Sequence, residues 1–361
     1  MTSPLRALVA TITEPQLNMS LGDAGLLGDV VDDAGHRSVQ LLLPGVDWPQ
    51  RADLESRVRE VAPDATVSVR AMTEDELLGL RHRLRAVMTT DGDEPKPRVL
   101  DRSSATRILG ISSGKGGVGK SSVTVNLALA LAARGHAVGV LDADVYGFSL
   151  PKMLGAPTDP IVLGDTVLPT LVHGVRALSM GYFVPDDQPV IWRGPMLHKA
   201  IEQLVTEAYW GEPDFLLIDM PPGTGDVALT LSEVAPKIEM YVVTTPQPAA
   251  QRVAQRSAIA ARKLKLAVRG VVENMSWFTG DDGSRYEIFG AGGGAALAAD
   301  LGVPLLGQIP LDPVLREGGD SGSPIVACHP DSPTAQAFVA LATVIAAQGP
   351  ARVYRQELRL V

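Results

Sequence analysis

The chain is almost without cysteine: Cys328 is the only one in 361 residues. No intrachain disulfide can form, which fits a reducing, cytoplasmic setting. Excess positive charge is missing as well. Lys and Arg number 32 against 41 Asp and Glu, a formal charge of −9. That balance gives no electrostatic footprint for non-specific nucleic acid or an anionic membrane surface. No uninterrupted apolar run reaches bilayer-spanning length. Met1 to Leu17 contains Glu14 and Pro15 and lacks a long apolar core, which argues against a secretory signal. No internal repeat stands out. What remains is an ordinary globular composition, long enough for one sizeable core and a smaller domain.

Within that composition one stretch organises the rest. Ile108 to Ser122 runs from a short apolar segment through four glycines to Lys-Ser, and an alanine- and leucine-rich helical pattern follows. Gly114, Gly119, Lys120 and Ser121 fill the phosphate-loop pattern. Glycines let the backbone N–H groups turn inward as an anion cradle at the positive end of the next helix. Lys120 can reach the β- and γ-phosphates, and the Ser121 hydroxyl can join Mg²⁺. The candidate ATP-binding set here is Gly114, Lys115, Gly116, Gly117, Val118, Gly119, Lys120, Ser121 and Ser122. Two other readings fit part of the pattern. Gly114, Gly116 and Gly119, with Asp142 further on, match a dinucleotide fingerprint, and a bare glycine turn needs no ligand. A dinucleotide loop has no use for Lys-Ser after its last glycine, whereas a triphosphate has charge there to neutralise.

Along the chain, residues 1–88 read as a small α/β domain. Helical patterns cover 5–12, 53–61 and 75–87, and strand patterns cover 38–43 and 66–70. Arg81, Arg83 and Arg85 read as a solvated face. Residues 89–104 are polar and broken by Pro95 and Pro97, a linker composition. From 105 to 361 apolar strands alternate with helices, which predicts a mostly parallel sheet covered by helices on both faces. The strand patterns lie at 108–112, 138–141, 215–218, 240–243, 268–272 and 305–309. The helical ones lie at 122–133, 195–210, 249–264 and 334–347.

Ligands of such sheets sit at the carboxyl ends of the strands, and the acidic residues fall there. Asp219 ends an apolar strand and opens Asp219-Met-Pro-Pro-Gly-Thr-Gly-Asp226. Its carboxylate can hold a water on Mg²⁺ or accept from Ser121. Gly223 then stands where its N–H can meet a γ-phosphate, so the loop can sense ATP against ADP. A Pro-Gly turn with a capping Asp is the plainer reading of this segment taken alone. Asp142 and Asp144 end another strand. Asp144 is the better candidate to orient the attacking water, and Asp142 suits Mg²⁺ or a capping role. Lys115 is a second lysine inside the loop: solvated in a monomer, able to reach the partner's phosphates in a dimer.

These residues resemble the deviant phosphate loop of the MinD/ParA class, and within it the Mrp/ApbC iron–sulfur cluster carriers. The likeness is carried by Leu141-Asp-Ala-Asp-Val-Tyr-Gly-Phe-Ser149, Trp192-Arg-Gly-Pro-Met196, the Asp219–Asp226 loop, Glu273-Asn-Met-Ser276 and Gly307-Gln-Ile-Pro-Leu-Asp-Pro313. It spans about 107–338, and 1–88 resembles more weakly the MIP18/DUF59-like domain that often precedes this ATPase. The resemblance implies a slow ATPase, a homodimer sandwiching two ATP molecules, Lys115 acting in trans, and Asn274 and Pro310 at the adenine. It implies catalytic roles for Lys115, Lys120 and Asp144, and Mg²⁺ at Ser121, Asp142 and Asp219. It also implies iron–sulfur clusters as cargo, with scaffold or client apoproteins as partners.

One departure bears on the cargo. The family usually carries Cys-x-x-Cys shortly after Glu-Asn-Met-Ser, and here Gly280 and Gly283 stand at those places. Clusters are normally held by thiolates, and Cys328 lies far along the chain. It reads more simply as a small, partly buried residue. A nucleotide-switched dimer that recruits a partner and binds no cluster is therefore the alternative. A membrane-associated switch would need a terminal amphipathic helix, and Val353–Val361 is short and only faintly amphipathic.

Overall fold

The alternation of apolar strands and helices folds as one large sheet in the computed structural model. The structure describes residues 3–33, 36–90, 97–101, 104–145, 147–156, 159–183, 194–223 and 225–351. Tyr146, Trp192, Arg193, Thr224, the linker residues 91–96 and the tail Val353–Val361 lie outside the described residues. The chain divides into two units: Met1–Arg98 with Ile161–Leu168 and Glu207–Gly211, and Val99–Pro160 with Pro169–Thr206 and Glu212–Val361. The first unit thus takes in two short segments from the stretch that chain order assigns to the second domain.

In the first unit, helix α1 (Pro4–Ala10) precedes strands β1 (Leu27–Asp33) and β2 (His36–Leu43), and α2 (Arg51–Val61), β3 (Thr66–Ala71) and α3 (Glu74–Met88) follow. β2 pairs antiparallel with β1 and parallel with β3. β1 escapes the sequence reading because Leu-Gly-Asp-Val-Val-Asp-Asp is acidic and does not alternate. Leu5, Val9, Leu41, Leu43, Leu54, Val58, Leu80 and Leu84 form the core. α3 opens on a capping box, with the Thr73 hydroxyl on the Glu76 N–H and the Glu76 carboxylate on the Thr73 N–H. Arg81 and Arg83 are half-buried rather than solvated, and Arg83 donates to the Ala24 carbonyl at 3.2 Å.

The segments borrowed from later in the chain are held by their own contacts. Tyr209 donates its N–H to Val167 at 2.8 Å and its hydroxyl to the Leu17 carbonyl at 2.5 Å. This corrects one expectation: the helix predicted over 195–210 ends at Thr206. Ala208, Tyr209 and Trp210 are buried instead, Ala208 bridging to Val167 and Tyr209 joining the first unit's core.

In the second unit the strands are β4 (Arg107–Ser113), β5 (Val138–Asp142), β6 (Thr170–Val172), β7 (Val175–Ser179), β8 (Phe215–Asp219), β9 (Glu239–Thr244), β10 (Ala267–Glu273) and β11 (Leu305–Gln308). They lie in the order β6-β7-β5-β8-β4-β9-β10-β11. Only the β6–β7 edge pair is antiparallel. Neither strand of that pair was read from sequence: Thr170–Val172 is three residues long, and Arg176 interrupts the apolar run of Val175–Ser179.

α4 (Lys120–Ala133) and α12 (Pro333–Ala347) cover one face, where Leu109, Ile111, Val140, Tyr241 and Val243 join the core. α8 (Pro248–Lys263) and α9 (Gly293–Leu301) cover the other, against Val242 and Val271. Adjacent residues Val242 and Val243 serve opposite faces, as the two-residue period of a strand requires. α4 is apolar nearly all round because it is buried nearly all round. Of the remaining helices, α5 (Leu150–Leu154), α6 (Gly194–Thr206), α7 (Asp226–Val234), α10 (Pro313–Ser321) and α11 (Ile325–Cys328) complete the layers.

Candidate functional site

The register of β8 against its neighbours builds the site. Asp219 pairs with Asp142 on one side and Ile111 on the other, so two acidic strand ends and the exit of β4 lie side by side. From β4 the backbone turns through Gly114–Gly119 into the fourteen-residue α4. Gly114 has no alternative. A Cβ there would stand 2.2 Å from the Ala254 nitrogen in the backbone of α8. Gly119 takes φ +77°, the left-handed turn that aims the loop's N–H groups at one point before the helix starts. Above the loop is a cavity of about 310 Å³ lined by Lys115, Lys120, Ser121, Asp144, Ser149 and Pro222, among others.

Under that cavity the polar groups are tightly tied. The Lys120 ammonium lies 2.7 Å from Asp219 Oδ2 and 3.8 Å from Asp144 Oδ2. Ser121 Oγ donates to Asp219 Oδ2 at 2.6 Å, and Thr124 Oγ1 donates to Oδ1 at 2.6 Å. Asp219 is fully buried, so its charge is held by one cation and two hydroxyls. Thr124 was not picked out from sequence. The signal was there: it follows Ser121 by three residues, one turn along the same helix face.

Asp142 plays a different part from its acidic neighbour. Its Oδ1 accepts from the Asp144 N–H at 3.1 Å. Its Oδ2 accepts from the Ser149 and Leu150 N–H groups at 2.9 and 3.1 Å, with Ser179 Oγ at 3.4 Å. Burial, and then the charge of Asp219, push its carboxyl up to about 7, against the pull of those N–H groups. Both oxygens are thus occupied in shaping the loop that carries Asp144.

Gly223 has φ +93°, and its N–H donates to the Ser113 carbonyl at 2.8 Å. Its N–H is engaged inside the protein, and meeting a γ-phosphate would exchange that bond for another. Lys115 reaches sideways, its ammonium 3.4 Å from Gln247 Oε1.

Next to the phosphate cavity lies another of about 350 Å³, lined by Gly119, Ser122, Asn274, Pro310, Leu315 and Arg316, among others. Asn274 donates its Nδ2 to the Val118 carbonyl at 2.9 Å, while its buried Oδ1 has no partner among the described residues. Pro310 follows β11, whose neighbour Ile309 pairs with both Glu273 and Ser276. The residues expected at a base and at the phosphates therefore share one wall, made by Gly119 and Ser122.

Residues 104–346 match the family described as ParA: NUBPL iron-transfer P-loop NTPase. The chain belongs to this family. An iron-sulfur cluster carrier protein of Mycobacterium leprae is 42% identical over 353 residues, covering 94% of this chain and 91% of the relative. One of Saccharolobus solfataricus is 45% identical over 239 residues, covering 65% of this chain and 81% of the relative. Among solved structures, a nucleotide-binding protein in complex with ADP from Archaeoglobus fulgidus is 32% identical with a TM-score of 0.55, covering 65% of this chain and 93% of that one. The cell division ATPase MinD of Pyrococcus furiosus is 29% identical with a TM-score of 0.52, covering 67% and 99%. Family and fold together make the glycine-rich loop that of a P-loop NTPase, which removes the dinucleotide reading.

Gly280 and Gly283, where the resemblance led to an expectation of cysteines, lie between the two strands of a small ribbon, Phe278–Thr279 against Arg285–Tyr286. Cys328, at the end of α11, is exposed rather than partly buried. Among the described residues no group of three or more His, Cys, Asp or Glu is placed to hold a metal ion. A set of four thiolates, the usual ligation of a cluster, is therefore absent from this chain. No helix among the described residues is long and apolar enough to cross a membrane.

Proposed function

We propose that the protein binds and hydrolyses ATP as a homodimer in the cytoplasm, and that the cycle serves the handling of iron–sulfur clusters as cargo. The observation that carries the ATPase reading is the tie of Lys120, Ser121 and Thr124 to Asp219 beneath a glycine cradle. Phosphoryl transfer asks for positioning and charge stabilisation more than for a strong base. Lys120 answers the β- and γ-phosphate charge. Ser121 and Asp219, a hydroxyl and a carboxylate, are the oxygen donors a hard divalent cation takes, and Mg²⁺ held there would neutralise charge developing on the phosphates. Asp142, with its oxygens already engaged, organises the loop instead. Asp144 orients the attacking water. Asn274 Oδ1 is an acceptor awaiting a donor, which suits the exocyclic amine of adenine and not the carbonyl of guanine.

Lys115 completes the reading. Lys120 already serves its own phosphates, so Lys115 acts across a two-fold axis on the partner's nucleotide. Iron–sulfur handling rests on the family and on the carrier proteins that match nearly the full chain. With one cysteine per protomer, thiolates from a scaffold or client must complete the cluster's ligand set. The lack of thiolates also favours a second reading, a nucleotide-switched dimer that positions a partner and never touches a cluster.

Anaerobic transfer from a cluster-loaded scaffold to an apo-dehydratase separates the two. The carrier reading predicts that this protein with ATP speeds recovery of dehydratase activity, and that the Lys120→Ala variant does not. Normal ATP turnover without any effect on transfer would leave only the switch.

A further inference from the structure

The outward face of α8 has no part in the chemistry above, yet its composition departs from the rest of the chain. Its sixteen residues, Pro-Ala-Ala-Gln-Arg-Val-Ala-Gln-Arg-Ser-Ala-Ile-Ala-Ala-Arg-Lys, contain no acid and four cations, in a chain of net charge −9. Ala250, Ala254, Ser257, Ala258 and Ala261 face the core. At 100° per residue, Arg252, Arg256, Ile259 and Lys263 then fall on one stripe on the opposite side, with Val253 along its flank. All five are exposed, Val253 by 38% and Ile259 by 45%. Among the described residues, Arg252, Arg256 and Lys263 have no acidic partner within ion-pair distance. Arg262 is spent elsewhere, on the Leu301 carbonyl.

The same helix leans on both nucleotide loops. Its backbone at Val253 and Ala254 closes on Gly114, leaving no room for a Cβ. Ser257 Oγ donates to the Gly223 carbonyl at 3.0 Å. Gln247, the residue before its first turn, takes the Lys115 ammonium. A change at Gly223 or Lys115 on nucleotide exchange is therefore a change at the footing of α8.

We propose that this stripe is a docking surface for an acidic amphipathic segment of a partner protein, and that the bound nucleotide sets its affinity. Unpaired arginines at four-residue spacing match carboxylates on a facing helix, and Ile259 with Val253 gives that helix apolar residues to cover. Nucleic acid fits less well. Val253 and Ile259 interrupt the cations, and a phosphate backbone would leave these apolar side chains uncovered. The nucleotide dependence rests on the ATP-switch reading; the docking surface does not.

The test uses the full-length protein and a labelled synthetic helix of about five turns, with Glu and Leu at matching spacing. Binding is followed by fluorescence anisotropy with ATP, with ADP and without nucleotide, and ATP affinity is measured on the same samples by calorimetry. Binding should weaken about tenfold in the Arg252→Glu/Arg256→Glu double variant, and fall with salt, as rim charges do. ATP affinity should stay within about twofold of wild type, which also reports that the variant folds, and affinity for the peptide should differ at least about threefold between ATP and ADP, roughly half a decade. Equal binding by the double variant, tighter binding of a DNA duplex than of the peptide, or loss of self-association in place of peptide binding would each overturn the docking surface. Peptide binding that ignores the nucleotide while ATP still binds would overturn the coupling alone. A wild type that binds peptide but no ATP would instead sink the ATPase reading.

Discussion

At the scale of single residues, the site is a charge balance around Asp219. Removing the Lys120 ammonium leaves a fully buried carboxylate with only hydroxyl donors and strips the phosphates of their cation. Lys120→Ala should therefore lower ATP affinity by about a hundredfold or more, a cost of roughly 3 kcal/mol or above for a lost charge-assisted contact. Asp144→Ala acts on another step. It should bind ATP within a few-fold of wild type and lose most of its phosphate release. Calorimetry and a phosphate assay on the two variants distinguish them; an Asp144 variant with full turnover removes that residue from the mechanism. That Lys120, Ser121, Asp144 and Asp219 would meet at the strand ends was legible from the glycine pattern and the acid-ended strands. Thr124 and Gln247 were not. Their roles come from which neighbours the fold brings to them.

At the scale of elements, two contacts between segments set what the sequence can vary. Gly114 lies against backbone rather than a side chain, so a Cβ cannot be absorbed by a rotamer change. Gly114→Ala should disturb α8 and the loop together, lowering the Tm and abolishing ATP binding in one step. A variant that kept wild-type ATP affinity would show that the loop has slack the structure does not. In the amino-terminal unit, Glu76 caps α3 and accepts two bonds from Arg70, at 2.8 and 2.7 Å. Those bonds, and then the Thr73 N–H, hold its carboxyl at about 2, below the usual 4.5. The unfolded chain therefore binds the extra proton between those values. The stabilisation is complete above about pH 4.5 and is lost as pH falls through about 2. Thermal unfolding of Glu76→Gln should lie below wild type at neutral pH and converge with it toward pH 2. A constant gap down to that pH would contradict the assignment. Long patterned elements such as α3, α4 and α8 were readable within a residue or two of their ends. The β6–β7 edge and the early end of α6 were not, because β6 has three residues, Arg176 breaks the apolar run of β7, and burial of Tyr209 and Trp210 overrides local pattern.

At the scale of the whole molecule, the proposed nucleotide switch belongs to a chain almost empty of thiols. Among the described residues the Lys115 ammonium meets only Gln247, an uncharged partner. ATP should shift the protein toward dimer, and Lys115→Ala should slow hydrolysis far more than it weakens nucleotide binding. Sedimentation with and without ATP, beside single-turnover rates, checks both; a monomer that hydrolyses ATP at the dimer's rate would remove the trans role. The cargo follows from the same symmetry. A two-fold dimer presents each residue twice, so it offers two Cys328 thiolates, whereas an all-cysteine cluster needs four. The most direct measurement is iron per dimer after anaerobic reconstitution with iron and sulfide, for wild type and Cys328→Ser. Neither should hold a stable cluster, and the variant should keep its ATPase activity unchanged. About four irons per dimer with a lasting thiolate-to-iron absorption band, the signature of full cysteine ligation, would contradict this.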